Sequence, residues 1–326
     1  MVKAPAVRNA RRSRNDCDKL VGSMSSSNDL NHTPPAGVYA AAITPYRERS
    51  NYVDLGAAME IIDFLSASPA KGISILGTTG NFLHFDIEER EKLISFGIKR
   101  SRKPVVVGIA HSTLDVAVHL AEHAAGAGAS SALVLPPYYF HYSVEQLENF
   151  YLRLGERMAQ HLALYLYNIP FFTGAIPVAL AKRLLSSGMY RGIKDSSGKP
   201  EYLEALAETG GTLIVGNDNA LCISRKQHAV GVISGCAAAI PELICALDHA
   251  VVTGDSVREE LLAGYLQEFI GWLDRFPTPF GVEEACRLRK LPARPDTSWL
   301  GAAPLEEFRS WFLNWLPAIL RDSKEG

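Results

Sequence analysis

The sequence has few cysteines, no unbroken apolar run of membrane-spanning length and almost no net charge, and each shortage excludes a class of protein. Its five cysteines form no CxxC pair, which argues against a disulfide framework or a zinc ribbon and fits a reducing cytosol. The apolar stretch from Val230 to Leu247 is interrupted by Pro241 and Glu242, so it does not predict a membrane span. A formal charge of -2 provides no basic excess for nucleic acid or an anionic membrane. We therefore expect a cytoplasmic protein with neither of these partners.

Signatures of nucleotide, metal and serine-nucleophile sites are also missing. No GxGxxG opens a helix, no glycine-rich loop is followed by Lys-Ser/Thr, and no GxSxG is present. The run His119-Leu-Ala-Glu122-His123 matches the HxxEH pattern of one group of zinc enzymes. Together with Asp115 it recurs at helical spacing, opposite Leu114 and Val118, so we interpret it as the solvated face of a helix. We expect no metal site there.

Residues 1–36 differ in composition from the rest of the chain. Four arginines between residues 8 and 14 are followed by a Ser- and Asn-rich run, Ser23 to Asn31, and then by Pro34-Pro35. Such a segment offers too little apolar surface to offset the entropy lost on folding. We predict a disordered N-terminal tail over residues 1–36.

From Gly37 onward, short apolar runs alternate with amphipathic stretches at intervals of roughly thirty residues, the size of one βαβ unit. Capping boxes at Asp86/Glu89 and at Ser143/Gln146 predict two of the intervening helix starts. Eight apolar runs are predicted as strands: Val38 to Ile43, Gly72 to Leu76, Pro104 to Gly108, Ala132 to Leu135, Ala163 to Tyr167, Gly192 to Lys194, Thr212 to Val215 and Gly231 to Ile233.

The near-continuous apolar character of these strands indicates a parallel sheet that is covered on both faces. Eight βα units in about 250 residues favour an α/β fold of the closed TIM (β/α)8 type over residues 37–253. An open doubly wound sheet is the alternative. Residues 254–326 contain three further helical stretches, which we expect to pack on the barrel as a C-terminal helical extension.

Lys194 ends the sixth predicted strand, in the run Gly192-Ile-Lys-Asp-Ser-Ser-Gly198. In a barrel, the carboxyl ends of the strands converge on the active site. Burial at such a place disfavours the charged ammonium, and a neutral amine can attack a carbonyl carbon and form a Schiff base. The alternative is a surface lysine in a turn, because Asp, Ser and Gly are turn formers.

Three other strand ends carry candidate groups. The segment Gly77-Thr78-Thr79-Gly80 follows the second strand, and its backbone N–H groups and hydroxyls can hold a carboxylate, although it can equally be a plain turn. Tyr167 ends the fifth strand, where its phenol can carry a proton or pack as a structural side chain. Tyr139 follows the fourth strand and presents the same choice between a second phenol and aromatic packing.

Five motifs taken together, in this order on a barrel pattern, resemble the dihydrodipicolinate synthase and N-acetylneuraminate lyase family over residues 37 to 320. These are Gly77-Thr-Thr-Gly80, Pro137-Tyr-Tyr139, Tyr167-Asn-Ile-Pro170 with Thr173-Gly174, Ile193-Lys194-Asp195 and Gly231-Val-Ile-Ser-Gly235. The resemblance implies an aldolase that forms a Schiff base with a small-molecule 2-oxo acid, with pyruvate as one fragment. It also implies a homotetramer built from dimers and no metal or organic cofactor, since the imine is the electron sink.

The resemblance assigns a role to each matching residue. It implies that Lys194 forms the Schiff base, that Tyr167 moves protons, and that Thr78 and Thr79 hold the substrate carboxylate. It implies that Tyr139 crosses a subunit interface and completes a relay with Thr78 and Tyr167. The other residues that it places at the substrate are Gly77, Ser196, Gly216, Asp218, Ile233 and Phe172.

Two departures from the family pattern bear on the substrate. The synthase branch carries an arginine just before Thr-Gly, where this chain has Phe172, and a phenyl ring cannot replace a bidentate guanidinium. Family members commonly carry Glu after Gly-Thr-Thr-Gly, where this chain has Asn81, so a charge is missing from that place. We therefore predict a 2-keto-3-deoxy sugar acid aldolase, with N-acetylneuraminate lyase and then 4-hydroxy-tetrahydrodipicolinate synthase as alternatives. A catalytically silent barrel that binds a 2-oxo acid is the alternative from another class.

Overall fold

A computed structural model describes residues 35–47, 50, 52–295 and 301–324. The predicted N-terminal tail lies outside the described residues, except for Pro35 and Ala36, and its disorder stays a prediction. Eight parallel strands close into a barrel in sequence order. They are β1 (Gly37–Ala41), β2 (Gly72–Ile75), β3 (Val105–Gly108), β4 (Ser131–Val134), β5 (Leu164–Asn168), β6 (Gly192–Asp195), β7 (Thr212–Val215) and β8 (Gly231–Ser234).

Closure of the sheet confirms the TIM barrel and excludes the open doubly wound sheet, because β8 pairs with β1 through Val38 and Val232. All eight strand predictions overlap the observed strands. Nearly every strand residue is buried, since inward side chains fill the barrel and outward side chains meet the surrounding helices. This two-sided burial explains why the strands appear in the sequence as short apolar runs without alternation.

Eight helices follow the strands and surround the barrel: α1 (Leu55–Ala67), α2 (Ile87–Arg100), α3 (Leu114–Ala127), α4 (Val144–Met158), α5 (Val178–Ser186), α6 (Pro200–Glu204), α7 (Leu221–Gln227) and α8 (Pro241–Thr253). The capping box at Ser143 and Gln146 is present at α4. At α2 only half of the predicted box forms. The Asp86 side chain accepts from the Glu89 N–H, but the Glu89 carboxylate accepts instead from the Val53 N–H, at 2.8 Å.

The stripe on α3 faces its neighbour α2 and solvent, as the helical spacing predicts. His119 pairs with Glu91, and the His123 ring nitrogen Nε2 lies 2.8 Å from the hydroxyl of Ser95. Among the described residues, no cluster of three or more His, Cys, Asp or Glu side chains is arranged to hold a metal ion. The side chains of His119 and His123 contact α2 through Glu91 and Ser95.

Three helices extend the barrel at the C-terminus: α9 (Ser256–Leu273), α10 (Phe280–Leu288) and α11 (Ala302–Asp322). Aromatic side chains join α9 to α11, as in the stacked rings of Phe269 and Trp315, whose centroids lie 5.6 Å apart. The predicted helical extension is confirmed. None of the helices in the described ranges has the length and apolarity required to cross a membrane.

Candidate active site

The register of β5 and β6 brings Lys194 and Tyr167 together. The two residues are direct partners across the parallel ladder, so both side chains point to the same face of the sheet, into the barrel. The Lys194 ammonium nitrogen Nζ lies 4.1 Å from the centroid of the Tyr167 ring. Lys194 is only 5% exposed and Tyr167 only 2%. The surface-turn alternative for Lys194 is therefore excluded.

Gly216, which follows β7, makes room for this lysine. A methyl group on its Cα would lie 2.3 Å from both Lys194 Cε and Ser196 Oγ, which is far inside van der Waals contact. Any side chain at this position would displace the lysine stem. The absence of a side chain at residue 216 is therefore a condition for the position of the Lys194 amine.

The loop Gly77–Gly80 brings a hydroxyl to the same place. Thr78 Oγ1 and the Tyr167 phenol oxygen are hydrogen-bonded at 3.2 Å. The loop is flanked by two non-glycine residues with left-handed backbones, Leu76 at φ 55° and Asn81 at φ 51°. Such conformations are costly outside glycine and persist where the surroundings fix them. The loop therefore has a defined shape at the barrel mouth.

The electrostatics of this cluster act on the Tyr167 phenol. Burial raises the pKa of Tyr167, but the adjacent Lys194 ammonium and the hydrogen bond with Thr78 outweigh burial, so the pKa lies below its ordinary value of 10.0. A phenol with a lowered pKa gives up and recovers a proton more readily at neutral pH. The amine, the phenol and the threonine hydroxyl therefore form one chemically coupled unit.

The neighbouring pair on the same two strands points the other way. Asn168 and Asp195 are also register partners, and the Asn168 amide donates to Asp195 Oδ1 at 2.6 Å. The Asn168 carbonyl oxygen in turn accepts from the Ile176 N–H at 3.0 Å. Burial raises the pKa of Asp195, with hydrogen bonds from Ser197 and Asn168 opposing it. This network ties the segment after β5 to β6, directly behind the lysine.

A cavity of about 680 Å³ opens above the cluster. Thr79 lines it, as do Ser196 and Asp218, whose buried atoms Ser196 Oγ and Asp218 Oδ1 have no hydrogen-bond partner among the described residues. The other oxygen of Asp218 accepts from the Cys236 N–H at 3.2 Å. Burial raises the pKa of Asp218, against hydrogen bonds and the Lys194 charge. Buried atoms of this kind are expected to gain partners from a bound ligand.

The rim of the cavity is more apolar and comes partly from outside the barrel. Phe171 and Phe172 stand on the segment after β5. The end of α9, the start of α10 and the segment between them supply the rest, including Leu273, Asp274 and Phe276. Sequence reasoning missed this contribution, because these residues follow no strand and match no motif. Lys194 is the one cationic side chain among the described residues that line the cavity.

The sequence model of the Dihydrodipicolinate synthetase family matches residues 34–306. The chain belongs to this family. The match spans the barrel and most of the C-terminal extension, so the resemblance predicted from five motifs is confirmed. Family members are lyases of the aldolase type, and the chain is accordingly a carbon–carbon lyase of this family.

Two curated relatives from the family illustrate its range. The chain is 26% identical over 264 residues, which is 79% of this chain and 88% of the relative, to a 4-hydroxy-tetrahydrodipicolinate synthase from Methanothrix thermoacetophila. It is 29% identical over 198 residues, which is 59% of this chain and 73% of the relative, to a 2-dehydro-3-deoxy-D-gluconate/2-dehydro-3-deoxy-phosphogluconate aldolase from Picrophilus torridus. Similar overall identity thus connects the chain to a synthase and to an aldolase.

A solved structure supports the fold. The 4-hydroxy-tetrahydrodipicolinate synthase from Methylacidiphilum fumariolicum aligns with a TM-score of 0.81, covering 89% of this chain and 98% of that chain at 24% identity. At this level of identity the likeness concerns the barrel and its extension. The family fold is thus present across nearly the whole of the described chain.

The structure places most of the site residues expected from the family at the cavity. The lining includes Lys194, Tyr167, Thr78, Thr79, Ser196, Gly216, Asp218 and Phe172. Gly77 and Ile233 lie outside the lining, and the Ile233 side chain is fully buried in the barrel.

Tyr139 is also separate from the cavity of its own chain. It is 89% exposed and packs edge-on against Phe140. Its predecessor Tyr138 is anchored instead, with its N–H and carbonyl both bonded to the Ser112 hydroxyl at 2.9 Å. The left-handed backbone of Tyr139, at φ 80°, turns its side chain outward after this anchor.

Proposed function

We propose that this protein is a Schiff-base-forming aldolase in which the Lys194 amine attacks the ketone of a 2-oxo acid and pyruvate is one fragment. The observation that carries the proposal is the contact between a buried primary amine and a phenol, 4.1 Å from nitrogen to ring centroid, at the floor of a cavity. Burial of a lysine beside a proton carrier is the arrangement that an amine nucleophile requires. A structural role does not call for a lysine at this place, because leucine or methionine would fill the same space without desolvating a charge.

The Lys194 nitrogen adds to the ketone carbon through its lone pair, and a proton then passes from the nitrogen to the former ketone oxygen. Tyr167 protonates the resulting hydroxyl, which leaves as water. The resulting iminium accepts the electron pair of the bond between carbons 3 and 4, while Tyr167 takes the proton of the hydroxyl on carbon 4. An aldehyde departs and an enamine remains. Protonation at carbon 3 and addition of water then release pyruvate and regenerate the amine. The iminium is the electron sink, so this cycle needs no metal or organic cofactor.

The substrate carboxylate is assigned to the loop Gly77–Gly80. Thr79 lines the cavity, and Thr78 is already bonded to Tyr167, so a carboxylate held here stands beside both the phenol and the amine. Hydroxyls and loop N–H groups are suitable donors to a carboxylate. Holding one end of a 2-oxo acid in this way directs its ketone carbon at Lys194.

The charges around the cavity favour an uncharged second fragment. Asp218 and Asp274 line the outer part, while Phe172 occupies the place of the arginine that the synthase branch carries. A second carboxylate or a phosphate would meet like charges without a cationic partner. The unpartnered side-chain oxygens of Ser196 and Asp218 are instead suitable hydrogen-bond partners for hydroxyl groups of a substrate. We therefore favour a 2-keto-3-deoxy sugar acid that yields pyruvate and a neutral hydroxyaldehyde.

N-acetylneuraminate lyase is the second candidate, because its substrate also presents hydroxyls to the outer pocket. The synthase activity is the third, since Phe172 offers no partner for the second carboxylate. A barrel that binds a 2-oxo acid without turnover is the candidate from another class. These four are separated by measuring pyruvate release from a panel of sugar acids, and condensation of pyruvate with glyceraldehyde, glyceraldehyde 3-phosphate and aspartate semialdehyde.

The exposed Tyr139 belongs to the same proposal. An outward aromatic pair, Tyr139 and Phe140, at the mouth of the barrel fits a subunit interface, and the family resemblance implies that Tyr139 enters the neighbouring site in a homotetramer. Tyr139→Phe removes the phenol oxygen and keeps the ring. Unchanged turnover in that variant would count against a relay across subunits.

The decisive experiment for the Schiff base is reductive trapping. Borohydride added in the presence of pyruvate should attach a reduced pyruvyl group to the wild type, at Lys194 by peptide mass mapping, and none to Lys194→Ala. Lys103→Arg is the matched control, because Lys103 is a half-buried lysine whose amine bonds to backbone carbonyls and lies outside the cavity lining. A wild type that stays unmodified overturns the proposal.

A further inference from the structure

Glu283, in the first turns of α10, is a buried carboxyl that the proposed chemistry does not use. Its side chain is 6% exposed and forms no ion pair with a described residue. Its Oε1 accepts a hydrogen bond of 2.6 Å from the Asn81 side-chain amide. Burial raises the pKa of Glu283 to about 7, against the opposing effect of that bond. Among the described residues Asn81 is the one hydrogen-bond partner of this carboxyl, and a desolvated carboxyl with so few partners is costly. A buried group of this kind beside a cavity is a candidate for a functional role.

The partner, Asn81, stands at the end of the loop that carries Thr78 and Thr79. Its backbone N–H donates to the Thr78 carbonyl at 3.1 Å, and its left-handed backbone opens a short turn of 3-10 helix at Phe82–His84. Leu76 has the corresponding left-handed conformation at the other end of the loop. The left-handed region is costly for Leu76 and is tolerated by Asn81, and such conformations persist where neighbouring groups hold them. Among the described residues, the hydrogen bond that the Asn81 amide donates to Glu283 is the side-chain contact that holds the Asn81 end of the loop.

The same turns of α10 line the cavity. Val282 and Gly281, one and two residues before Glu283, are among its lining residues. The helix therefore contacts both the space for the second fragment and the loop assigned to the carboxylate. At the position after Gly80, the Asn81 side chain donates to a carboxyl that comes from a different element of the fold.

We propose that Glu283 is a positioning residue, which holds the Thr78–Thr79 loop through Asn81 and so sets the affinity of the site for the 2-oxo acid carboxylate. The proposal rests on the function proposed above. It makes the C-terminal extension a part of the site, because α10 is the element that fixes the loop. Loss of the bond frees a strained loop end, and a displacement of about 1 Å in a positioning group can lower efficiency by about 100-fold.

The test compares half-saturating pyruvate concentrations for imine trapping. Glu283→Ala should raise this concentration between about 10-fold and 100-fold. Glu283→Gln should remain near the wild type, because its amide oxygen still accepts from Asn81. Asn81→Asp should be impaired, since two carboxyls then face each other. Asn81→Asp combined with Glu283→Gln should recover, because donor and acceptor are exchanged and the bond is restored.

Glu242→Gln is the matched control. Glu242 binds Arg289, just beyond α10, at 2.8 Å and so joins the extension to α8 without contacting the loop. That variant should lower the melting temperature without moving the half-saturating concentration. Recovery in the double variant also separates positioning from a merely structural role.

The possible outcomes are distinct. A wild type that forms no imine overturns the proposed function itself. If the wild type is trapped, and a folded Glu283→Ala protein has an unchanged half-saturating concentration, the positioning proposal alone is overturned. Should Glu283→Ala fail to fold, Asn81→Gly removes the same bond while allowing the left-handed backbone, and the same shift is expected.

Discussion

The inner wall of the cavity and its rim are built in different ways. On the inner wall, Lys194 and Tyr167 sit on hydrogen-bonded strands, are buried, and are fixed relative to each other by strand register. On the rim, Phe171 and Phe172 are 70% and 57% exposed on a connecting segment. The closed barrel therefore determines where the Lys194 amine lies, whereas loops and added helices determine what surrounds the rest of the cavity.

This difference distinguishes residues whose positions the barrel fixes from residues on loops, which set selectivity. Chemistry that depends on strand ends is shared by a family, since the strands cannot move without breaking the barrel. Selectivity that depends on loops changes by single substitutions, such as phenylalanine in place of arginine at position 172. A synthase and an aldolase can therefore have the same side chains at the strand ends and differ in the loops around them.

The largest effect is expected for Tyr167→Phe on the inner wall. The variant keeps the ring beside Lys194 but removes the proton carrier, so we expect turnover to fall between about 100-fold and 10,000-fold. Tyr190→Phe is the control, because Tyr190 is equally buried and bonds to the Tyr151 carbonyl away from the cavity. Steady-state pyruvate release measures both. Equal turnover in the two variants would remove the phenol from the mechanism.

Gly216→Ala tests the same wall by steric displacement. Its methyl group would overlap the Lys194 stem, so we expect a loss of about 100-fold in turnover and about 1 to 3 kcal/mol in the free energy of unfolding. Gly126→Ala on α3 is the control, because nothing lies within 4 Å of its added methyl group. Retained turnover in Gly216→Ala would contradict the fixed position of the lysine.

Glu283→Gln tests whether the buried Glu283 carboxyl on α10, outside the cavity lining, takes up a proton on folding. The pKa of Glu283 is raised from 4.5 to about 7 in the folded protein, so the folded state binds the extra proton between these values. The free energy of unfolding should therefore fall as pH rises through this window, by about 3 kcal/mol in total. The variant lacks this contribution, so urea unfolding from pH 5 to pH 8 should show a difference that grows with pH. Parallel curves would contradict the burial of the charge.

Asp218→Asn tests the part of the cavity that we assign to the second fragment, where smaller effects are expected. Loss of one charged acceptor should lower kcat/KM for a hydroxylated substrate by about 10-fold, while imine trapping with pyruvate stays unchanged. Equal losses in both assays would place Asp218 in the chemistry of imine formation.

The sequence predicted the inner wall well because its residues end strands, and strand ends converge in a closed barrel. Lys194, Tyr167, Thr78 and Thr79 could each be placed on that basis. The contribution of α9, α10 and the segment between them could not be predicted, since Phe276 and Val282 reach the cavity through packing against segments distant in sequence. No sequence motif pointed to Glu283, because only its burial and its hydrogen bond with Asn81, 202 residues away, distinguish it from other glutamates.

The alternation of side chains in β5 and β6 has a consequence for how this chain can change in length. Tyr167 and Lys194 face inward, while Asn168 and Asp195, one residue later, face the opposite way. A single-residue insertion or deletion within β6 would bring the Asp195 carboxyl to the barrel interior in place of the Lys194 amine. The same change within β5 would bring the Asn168 amide there in place of the Tyr167 phenol. Indels are thus confined to the connections between strands and helices, and length variation among homologues should concentrate there.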